Sequence, residues 1–344
     1  MGSPSVSPSS ASHAFDLIGV GSPIMDLLAP VPEVFLRQVP GDKGGMVLVD
    51  SAEMQRIVSL LAFPPATSTG GSAANTTYNA ARLGLRTTFL GKLGHDDLAR
   101  RYRQSFEAAG VDGSRFKIGA QPNARCLALV TPDAQRTMRT DLGAAVTLDP
   151  AEISPADFAG VRHAHIEGYL AFNPALADAV LASARAAGCS VSLDLASFEV
   201  VHASRDWLLR QFDLGLDVVF ANEDEIRALF ADRTAGYDEL ARQLAARGPV
   251  AAVKVGRDGA WIAQGRELHR IEPVRVPDAI DTNGAGDSWA AGFLAGFLNG
   301  LSLPRSGALA SLVGAETVRH LGPLIPDDPW RELLPRARAL AAQT

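Results

Sequence analysis

Regular alternation of strand-like and helix-like segments after residue 160 is the feature that most restricts the fold of this 344-residue chain. Short apolar runs, typical of buried strands, are separated by longer segments with the periodicity of amphipathic helices. Because parallel strands need a helical crossover, this order predicts an α/β fold with a mainly parallel central sheet. The segments are VRHAHIEGYL, PALADAVLASARAAG, CSVSLDLA, DWLLRQF, LDVVFAN, helices from Glu223 and over 237–247, the strand pair VAAVKVG and GAWIAQ, and helices near 285–299 and 305–320.

The remainder of the chain departs from this pattern in two places. FDLIGVG, residues 15–21, predicts a first buried strand, and no linker follows it, so we expect one domain over residues 15–330. Residues 26–45 lack helical periodicity, and 120–140 contain two extended arms around a Pro-Asp turn, which predicts a hairpin. We expect both segments to add a small β lid. Residues 1–14 are expected to form a flexible tail, and 331–344 a C-terminal helix or tail.

Composition excludes several classes of protein. With 32 Lys+Arg against 38 Asp+Glu the formal net charge is −6, whereas nucleic-acid binders need a basic surface. Two cysteines are too few for a disulfide framework or a cysteine zinc site. The chain has no run of roughly 18 uncharged apolar residues, so no membrane span is predicted. Residues 1–13 do not resemble a secretory signal. We therefore expect a cytoplasmic protein with no nucleic-acid or membrane partner.

Several familiar patterns for phosphate, dinucleotide or metal binding are absent or incomplete. The chain contains no G-x-x-x-x-G-K-[ST] loop. The first strand ends in GVGSPI, in which Ile24 stands where a dinucleotide-binding fingerprint has its third glycine. His163 and His165 share one face of a predicted strand, but without a third ligand packing explains them better than a metal site.

The segment DTNGAGDSWAAGFL, residues 281–294, carries the strongest chemical signal. Gly284, Ala285 and Gly286 precede a predicted helix, so several backbone N–H groups are exposed at its positive end and predict an anion hole. Asp287 is expected to stay ionised there and to accept the proton of a hydroxyl group that receives a phosphoryl group. The alternative is a glycine-rich turn in which Asp287 only caps the helix.

A second segment, GGSAANTTYNAARLG over residues 70–84, is equipped to bind hydroxyl groups. Gly70 and Gly71 permit close approach of a ligand to the backbone, and Asn75 lies in the first turn of the following helix. Asp26, just past the first strand, offers a carboxylate that can accept from two hydroxyls at a strand end, where open α/β sheets bind ligands. Alternatively, Asn75 is an ordinary helix-start residue and Asp26 a turn residue.

Together the two segments resemble the two sequence signatures of the PfkB (ribokinase-like) carbohydrate kinases, and the resemblance extends from Phe15 to about Pro326. It implies a three-layer ribokinase-like α/β fold with a small β lid. It also implies transfer of the γ-phosphoryl group of ATP to a primary hydroxyl, with Mg²⁺ and often a monovalent cation such as K⁺. On this resemblance Asp287 matches the catalytic base, and Gly284–Gly286 match the anion hole.

The same resemblance assigns a nucleotide side of the site. Glu225, in an N-x-x-E motif, is expected to act on Mg²⁺ indirectly, and Asp281 falls at the family's monovalent-cation site. A tight hairpin turn would explain the glycines of KVGRDG equally well. The residues assigned to ATP on this basis are Asn222, Glu225, Lys254, Gly256, Gly259, Gly314 and Ala315.

Two residues favour adenosine as the acceptor, with AMP as the product. Asn283 in DTNGAGD and Arg136 in TPDAQRTMRTDLGAA resemble the adenosine-kinase-like branch, and Arg136 is expected to reach the transferring phosphate. Tyr169, Phe172 and Phe198 are candidates to stack on a purine, with core packing as the alternative. A sugar kinase acting on ribose or fructose and a catalytically silent ligand-binding homologue are the other hypotheses. The resemblance allows a monomer or a homodimer.

Overall fold

The computed structural model describes residues 13–133 and 135–342, so residues 1–12 of the predicted tail lie outside the described residues. The strands are β1 (Phe15–Val20), β2 (Ile24–Pro30), β3 (Met46–Leu48), β4 (Ala66–Gly70), β5 (Thr87–Leu90), β6 (Lys92–Leu93), β7 (Val111–Asp112), β8 (Lys117–Ile118), β9 (Arg125–Val130), β10 (Arg136–Asp141), β11 (Val161–Glu167), β12 (Ser190–Asp194), β13 (Val218–Ala221), β14 (Val250–Lys254), β15 (Ala260–Gln264) and β16 (Glu267–Ile271). The helices are α1 (Ser51–Ser59), α2 (Ser72–Arg82), α3 (Asp97–Ala108), α4 (Pro174–Ala186), α5 (Phe198–Asp213), α6 (Glu223–Phe230), α7 (Tyr237–Ala245), α8 (Ala285–Leu298), α9 (Leu303–Thr317) and α10 (Asp327–Ala342).

Nine strands form one large sheet in the order β16-β15-β14-β13-β12-β11-β1-β5-β7. The seven strands from β14 to β7 run parallel, and β15 and β16 are added antiparallel at one edge. The predicted mainly parallel sheet is therefore confirmed. The carboxyl ends of the parallel strands meet at one edge of the sheet, where the predicted ligand-binding loops begin.

Helices cover both faces of the large sheet, because its central strands are apolar on both sides. Along β13, Val219 and Ala221 pack into one core and Val218 and Phe220 into the other, since successive strand side chains point to opposite faces. The first core contains the buried sides of α4 to α7, and the second those of α8 to α10. The result is three layers, helices on sheet on helices.

Five further strands form a second sheet, here called the small sheet, in the order β3-β10-β9-β2-β4. The predicted hairpin of residues 120–140 is its antiparallel pair β9 and β10. The segment 26–45 contributes most of β2 and a 3₁₀ helix at Glu33–Gln38. β4 runs directly into α2, so the small sheet is continuous with the helix that follows GGSAAN.

Several elements differ from the sequence-based expectation. β4, β7, β8 and β16 were not predicted: β7 and β8 have only two residues each, and ATSTG and ELHRI lack a clear apolar alternation. The predicted boundary at residue 330 falls inside α10, whose Trp330 and Leu333 are buried in the second core. Both cysteines, Cys126 and Cys189, are free thiols. In the part of the chain that the structure describes, no helix is long and apolar enough to cross a membrane.

Candidate active site

The loop leading into α8 presents unsatisfied backbone donors. Gly284 is the N-cap of α8 with a φ of +71°, and a β-carbon there would lie 2.5 Å from Cβ of Pro323. Both the backbone conformation and the lack of space therefore require glycine. Ala285 donates its N–H within the loop, whereas the N–H groups of Gly286 and Asp287 have no acceptor among the described residues. The predicted anion hole thus has two free donors at a positive helix end.

The side chain of Asp287 is held by the first turn of α2. Ser72 Oγ donates to Oδ1 at 2.9 Å, and Asn75 Nδ2 donates to Oδ2 at 2.9 Å. Thr76 Oγ1 donates to the backbone carbonyl of Asp287 at 3.2 Å, which joins the starts of the two helices. The sequence predicted Asn75 as a ligand-binding residue, and in the structure its amide binds the candidate base.

Burial governs the protonation of Asp287. Removal from water is the largest cause and raises its pKa to about 6, against the hydrogen bond from Asn75 and the positive charge of Lys254. The negative charge of Asp194 adds to the increase. At neutral pH the carboxylate is still ionised, but it binds a proton more readily than an exposed aspartate. A general base benefits from a pKa close to the working pH.

Asp26 on β2 presents a second carboxylate to this region. Burial raises its pKa to about 7, against the nearby charge of Arg136, and no described residue donates a hydrogen bond to it. A β-carbon at Gly70 would lie 2.5 Å from Oδ2 of Asp26, so a larger residue there would displace this carboxylate. Gly71, the N-cap of α2, has a φ of +100°, and a β-carbon there would lie 2.2 Å from the carbonyl oxygen of Ser22. The two glycines keep Asp26 and the start of α2 accessible.

A buried glutamate that the sequence analysis missed lies at the carboxyl end of β11. Glu167 accepts the N–H of Ala73 through Oε2 at 3.2 Å and the N–H of Ser22 through Oε1 at 3.4 Å. Burial raises its pKa to about 7. Glu167 therefore fixes the loop after β1 to the start of α2. A single acid at the end of a buried strand forms no motif, and only its place at this sheet edge could have indicated it.

Arg136, the first residue of β10, forms an ion pair with Asp281 in the loop before α8. Oδ2 of Asp281 also accepts the N–H of Gly322 at 2.7 Å, and Oδ1 accepts the N–H of Asn283 at 3.1 Å. The small sheet is thereby tied to the anion-hole loop. The arginine predicted to reach the phosphate thus occupies the carboxylate predicted to hold a monovalent cation.

Three neighbouring strands deliver charged side chains to the carboxyl edge of the large sheet. Lys254 at the end of β14 donates to Oδ2 of Asp194 at the end of β12, at 2.9 Å. Between them, Asn222 follows β13 and caps α6, and its backbone and side-chain N–H groups donate to the two oxygens of Glu225 at 2.8 and 2.7 Å. Asp194 is a second residue that the sequence analysis did not single out.

The charges of this cluster influence one another. Burial raises the pKa of Glu225 to about 7, and the negative charge of Asp194 adds to the increase while Lys254 opposes it. Burial lowers the pKa of Lys254, but Asp194 and Glu225 outweigh burial, so the net pKa is raised and the ammonium stays charged. Several buried carboxyl groups therefore surround one ammonium.

The glycines predicted for the nucleotide side have structural roles of their own. Gly256 and Gly259 have φ of +46° and +93° in the turn between β14 and β15, so the hairpin alternative accounts for both. A β-carbon at Gly259 would lie 2.1 Å from the carbonyl oxygen of Ile271. Gly314, on α9, faces the carbonyl of Ala285 and the side chain of Trp289, which places it behind the anion-hole loop.

The candidate aromatic residues follow β11 and β12: Tyr169 and Phe172 lie in a short 3₁₀ helix after β11, and Phe198 begins α5. Tyr169, Phe172 and Phe198 are 41%, 58% and 44% exposed, so the core-packing alternative does not hold for them. The rings of Tyr169 and Phe172 are 6.4 Å apart. Burial is the main reason that the pKa of Tyr169 is raised to about 12, and the negative charges of Glu167 and Asp287 add to the increase.

The two histidines of β11 are structural. His163 shares hydrogen bonds with Ser190 Oγ at 2.7 Å and Ser192 Oγ at 2.8 Å, and His165 binds Ser192 Oγ at 2.9 Å. Burial lowers the pKa of His163 to about 3 and of His165 to about 4, so both rings are neutral. Packing therefore explains them, as the sequence indicated.

Comparison with known proteins identifies the family. Residues 49–331 match the pfkB family carbohydrate kinase domain. The chain is 32% identical over 260 residues to an ATP-dependent ribose-1-phosphate kinase of Halopiger xanaduensis, covering 74% of this chain and 82% of that protein. The chain belongs to the pfkB family of carbohydrate kinases.

Two solved structures of the family resemble the whole chain. An adenosine kinase from Sinorhizobium meliloti aligns with a TM-score of 0.82 at 31% identity, covering 95% of this chain and 99% of that one. A probable sugar kinase from Rhizobium etli aligns with a TM-score of 0.83 at 31% identity, covering 95% and 98%. The predicted ribokinase-like α/β fold is confirmed, and the protein is a phosphotransferase that acts on a hydroxyl of a sugar or nucleoside.

The family implies ATP and, usually, Mg²⁺, and the site fits a divalent cation. Asp194, Glu225 and Asp287 share the single ammonium of Lys254, and their repulsion contributes to the raised pKa of Glu225 and Asp287. Both oxygens of Glu225 already accept hydrogen bonds, which suits binding to the water shell of the ion. Within residues 13–133 and 135–342 no group of three or more His, Cys, Asp or Glu could hold a metal by itself.

Proposed function

We propose that the protein is an adenosine kinase, which transfers the γ-phosphoryl group of ATP to the 5′-hydroxyl of adenosine and yields AMP. The observation that carries this proposal is the charge on the acceptor side of the site. Asp26 has Asp287 and Arg136 as its charged neighbours, and Arg136 is already paired with Asp281. An acceptor with its own phosphate or carboxylate would meet uncompensated negative charge there, whereas a neutral nucleoside would not.

Hydroxyl recognition supports a ribose-containing acceptor. The free carboxylate of Asp26 can accept hydrogen bonds from two adjacent hydroxyls of a ribose. Its raised pKa reflects burial without a protein donor, and two hydroxyl donors would stabilise the ionised form. The bare backbone at Gly70 and Gly71 leaves room for the sugar beside it.

Exposed aromatic side chains support a nucleobase over a free sugar. Tyr169 and Phe172 lie close to each other, with ring centres 6.4 Å apart. An exposed aromatic ring at the mouth of a site offers a face on which a purine stacks. We assign the base-binding role to Tyr169 first, with Phe172 and Phe198 completing the apolar surface.

Phosphoryl transfer then follows from the positions of the side chains. Asp287 takes the proton of the acceptor hydroxyl while the oxygen bonds to the γ-phosphorus, and the bond to the β,γ-bridging oxygen breaks to release ADP. The free N–H groups of Gly286 and Asp287 donate to the oxygens of the phosphoryl group in transit. Ser72 and Asn75 orient the carboxylate of Asp287 throughout.

Mg²⁺ bound with ATP would neutralise phosphate charge, with Glu225 and Asp194 holding its water shell. The small sheet would act as the lid that excludes water, since it carries Asp26 and Arg136 and is tied to the anion-hole loop through Asp281. Arg136 would leave Asp281 for the phosphate when ATP binds. A K⁺ ion would occupy the Asp281 carboxylate only after that release.

A sugar kinase with the same mechanism is the second candidate. It is favoured by the 32% identity to a ribose-1-phosphate kinase and the 31% identity to a probable sugar kinase. Both candidates use Asp26 and Asp287 in the same way. They differ in whether the sugar of the acceptor carries a nucleobase.

The deciding experiment is an ADP-release assay with ATP, Mg²⁺ and K⁺ against a panel of acceptors. The panel contains adenosine, inosine, guanosine, cytidine, ribose, fructose, ribose 1-phosphate and 2-dehydro-3-deoxygluconate. We expect adenosine to give the highest kcat/KM, with AMP identified by mass spectrometry. A preference for a free sugar would replace adenosine by the second candidate. A preference for an anionic acceptor would contradict the charge argument.

A further inference from the structure

Lys254 and Asp194 form a buried ion pair at the floor of the anion hole. The side chains of Lys254 and Asp194 are 13% and 5% exposed, and their Nζ–Oδ2 distance is 2.9 Å. Oδ1 of Asp194 accepts the N–H of Ala196 at 2.9 Å, which fixes the carboxylate. The Lys254 ammonium lies 6.0 Å from the ring centre of Phe220, so protein and not bulk water surrounds much of it. Such a pair costs desolvation energy and calls for a function beyond stability.

The ammonium also has hydrogen-bonding capacity to spare. Lys254 carries three N–H donors, and Asp194 is its one acceptor within the described parts of the chain. A β-carbon added at Gly286 would lie 3.3 Å from Nζ of Lys254, so the ammonium stands against the loop whose N–H groups are free. A cation and two backbone donors therefore converge on one small volume.

This volume is where the phosphoryl group must travel. Gly286 immediately precedes Asp287, the candidate base, and Lys254 is among the charges that lower the pKa of that base. The group in transit lies between the base-bound acceptor oxygen and the leaving ADP. An ammonium beside Gly286 is consequently placed at the transferred group, away from the adenine end of ATP.

We propose that Lys254 is a catalytic cation that binds the transferring γ-phosphoryl group, and that Asp194 is the positioning residue that holds it ready. The proposal rests on the proposed kinase function and extends it. As the bond from the γ-phosphorus to the β,γ-bridging oxygen breaks and the bond to the acceptor oxygen forms, Lys254 donates a hydrogen bond to a non-bridging oxygen. No proton leaves Lys254, because Asp287 takes the proton of the acceptor.

The test compares Lys254→Met, Lys254→Arg and Asp194→Asn with wild type in the full chain. Lys92→Met is the matched control, since Lys92 forms an ion pair with Glu152 at 2.7 Å and is 12% exposed. Affinities for Mg·ATP and Mg·ADP are measured by titration calorimetry, and kcat and the pH profile of kcat/KM by ADP release. Circular dichroism confirms that each variant is folded.

We expect Lys254→Met to weaken the affinity for Mg·ATP at least tenfold and to change the affinity for Mg·ADP less than threefold. The variant should also lower kcat by about 10²-fold. Its acid limb should move to higher pH, because Lys254 lowers the pKa of Asp287. Asp194→Asn should move that limb to lower pH, because the Asp194 charge raises the same pKa. Lys254→Arg should retain more activity than Lys254→Met, and Lys92→Met should resemble wild type in all readouts.

Equal losses of ATP and ADP affinity in Lys254→Met would overturn the proposal. Acid limbs of the kcat/KM profile that move in the same direction in Lys254→Met and Asp194→Asn would also overturn it. If Lys254→Met does not fold, Asp194→Asn decides alone, and a wild-type affinity for Mg·ATP together with a wild-type kcat in that variant rejects the positioning role. A wild-type chain that prefers ATP over ADP but phosphorylates no acceptor of the panel would defeat the proposed function only. Loss of that preference in Lys254→Met would then still support the inference.

Discussion

Asn75 on α2 and Asp287 on α8 are joined by a hydrogen bond of 2.9 Å from the Asn75 amide to Oδ2 of the carboxylate. Ser72 supplies the matching bond to Oδ1. The start of one helix therefore orients the acid at the start of another. Since these donors bind the ionised carboxylate, they also stabilise its charge against the effect of burial.

Asn75→Ala is expected to move the acid limb of the kcat/KM profile to higher pH. The variant removes a donor that lowers the pKa of Asp287, so the base becomes protonated at a pH above the present value of about 6. Thr76→Val is the control, because Thr76 bonds the backbone carbonyl of Asp287 and not its carboxylate. An acid limb that shifts equally in both variants would assign the effect to helix packing.

Asp287→Asn should lower kcat by about 10²–10⁴-fold while leaving acceptor and ATP binding close to wild type. The amide keeps the shape of the side chain but cannot take a proton. In wild type we expect kcat/KM to fall as the pH decreases below about 6, since protonation of a general base removes it from the reaction. ADP release gives the rate, and calorimetry gives the affinities. Full activity in the variant would exclude Asp287 as the base.

Gly70→Ala should raise the acceptor KM tenfold or more with little change in the KM for ATP. The new β-carbon would lie 2.5 Å from Oδ2 of Asp26 and would displace the carboxylate that we assign to the sugar hydroxyls. Gly45→Ala, also in the small-sheet region, is the control because a β-carbon there would lie 3.4 Å from the Asp42 carbonyl oxygen, an ordinary contact distance. Equal acceptor KM values in the two variants would show that Asp26 does not contribute to acceptor binding.

Asp281→Asn should loosen the connection between the small sheet and the anion-hole loop. The neutral amide loses the ion pair with Arg136, and one of its two oxygens no longer accepts a backbone N–H. We expect amide hydrogen exchange in β10 and around Gly322 to accelerate by about tenfold or more. Asp213→Asn, which removes a surface partner of Arg247, should leave both segments unchanged. Unaltered exchange in Asp281→Asn would rule out this connection in solution.

Glu167→Gln should become more stable relative to wild type as the pH rises from 5 to 8. The pKa of Glu167 is raised from its ordinary value of 4.5 to about 7 in the folded chain, so its ionisation above pH 4.5 costs stability until pH 7 is passed. Across this pH range the free energy of unfolding of Glu167→Gln should gain about 3 kcal/mol relative to wild type, by the usual conversion of a pKa shift into energy. Urea unfolding at several pH values measures it, with Glu332→Gln on the exposed side of α10 as control. A pH-independent difference would contradict the raised pKa.

The sequence predicted the elements whose residues are neighbours in the chain. The helix start at DTNGAGD, the helix beginning at Glu223 and the β9–β10 hairpin all depend on local backbone preferences, and all three are found. The glycines that line the loops were likewise visible as a local pattern. Their spacing reflects backbone conformations that other residues avoid.

The sequence could not predict pairings between distant residues. Arg136 and Asp281 are 145 positions apart, and their contact depends on how the small sheet packs over the loop before α8. Asp194 and Glu167 are single acids at the ends of buried strands and form no recognisable motif. The raised pKa of Asp287 depends on burial beneath α2, and burial is a property of the assembled fold.

The junction of β4 and α2 has a mechanical consequence. β4 lies beside Asp26 in the small sheet, ends at Gly70, and gives way after the single residue Gly71 to the helix that carries Ser72 and Asn75. A movement of the small sheet would therefore pass through this one junction to Ser72 and Asn75, which donate hydrogen bonds to Asp287. Acceptor binding by Asp26 and orientation of Asp287 would be coupled through this junction. Cutting the chain at Gly71 would leave both side chains in place but remove the coupling between them.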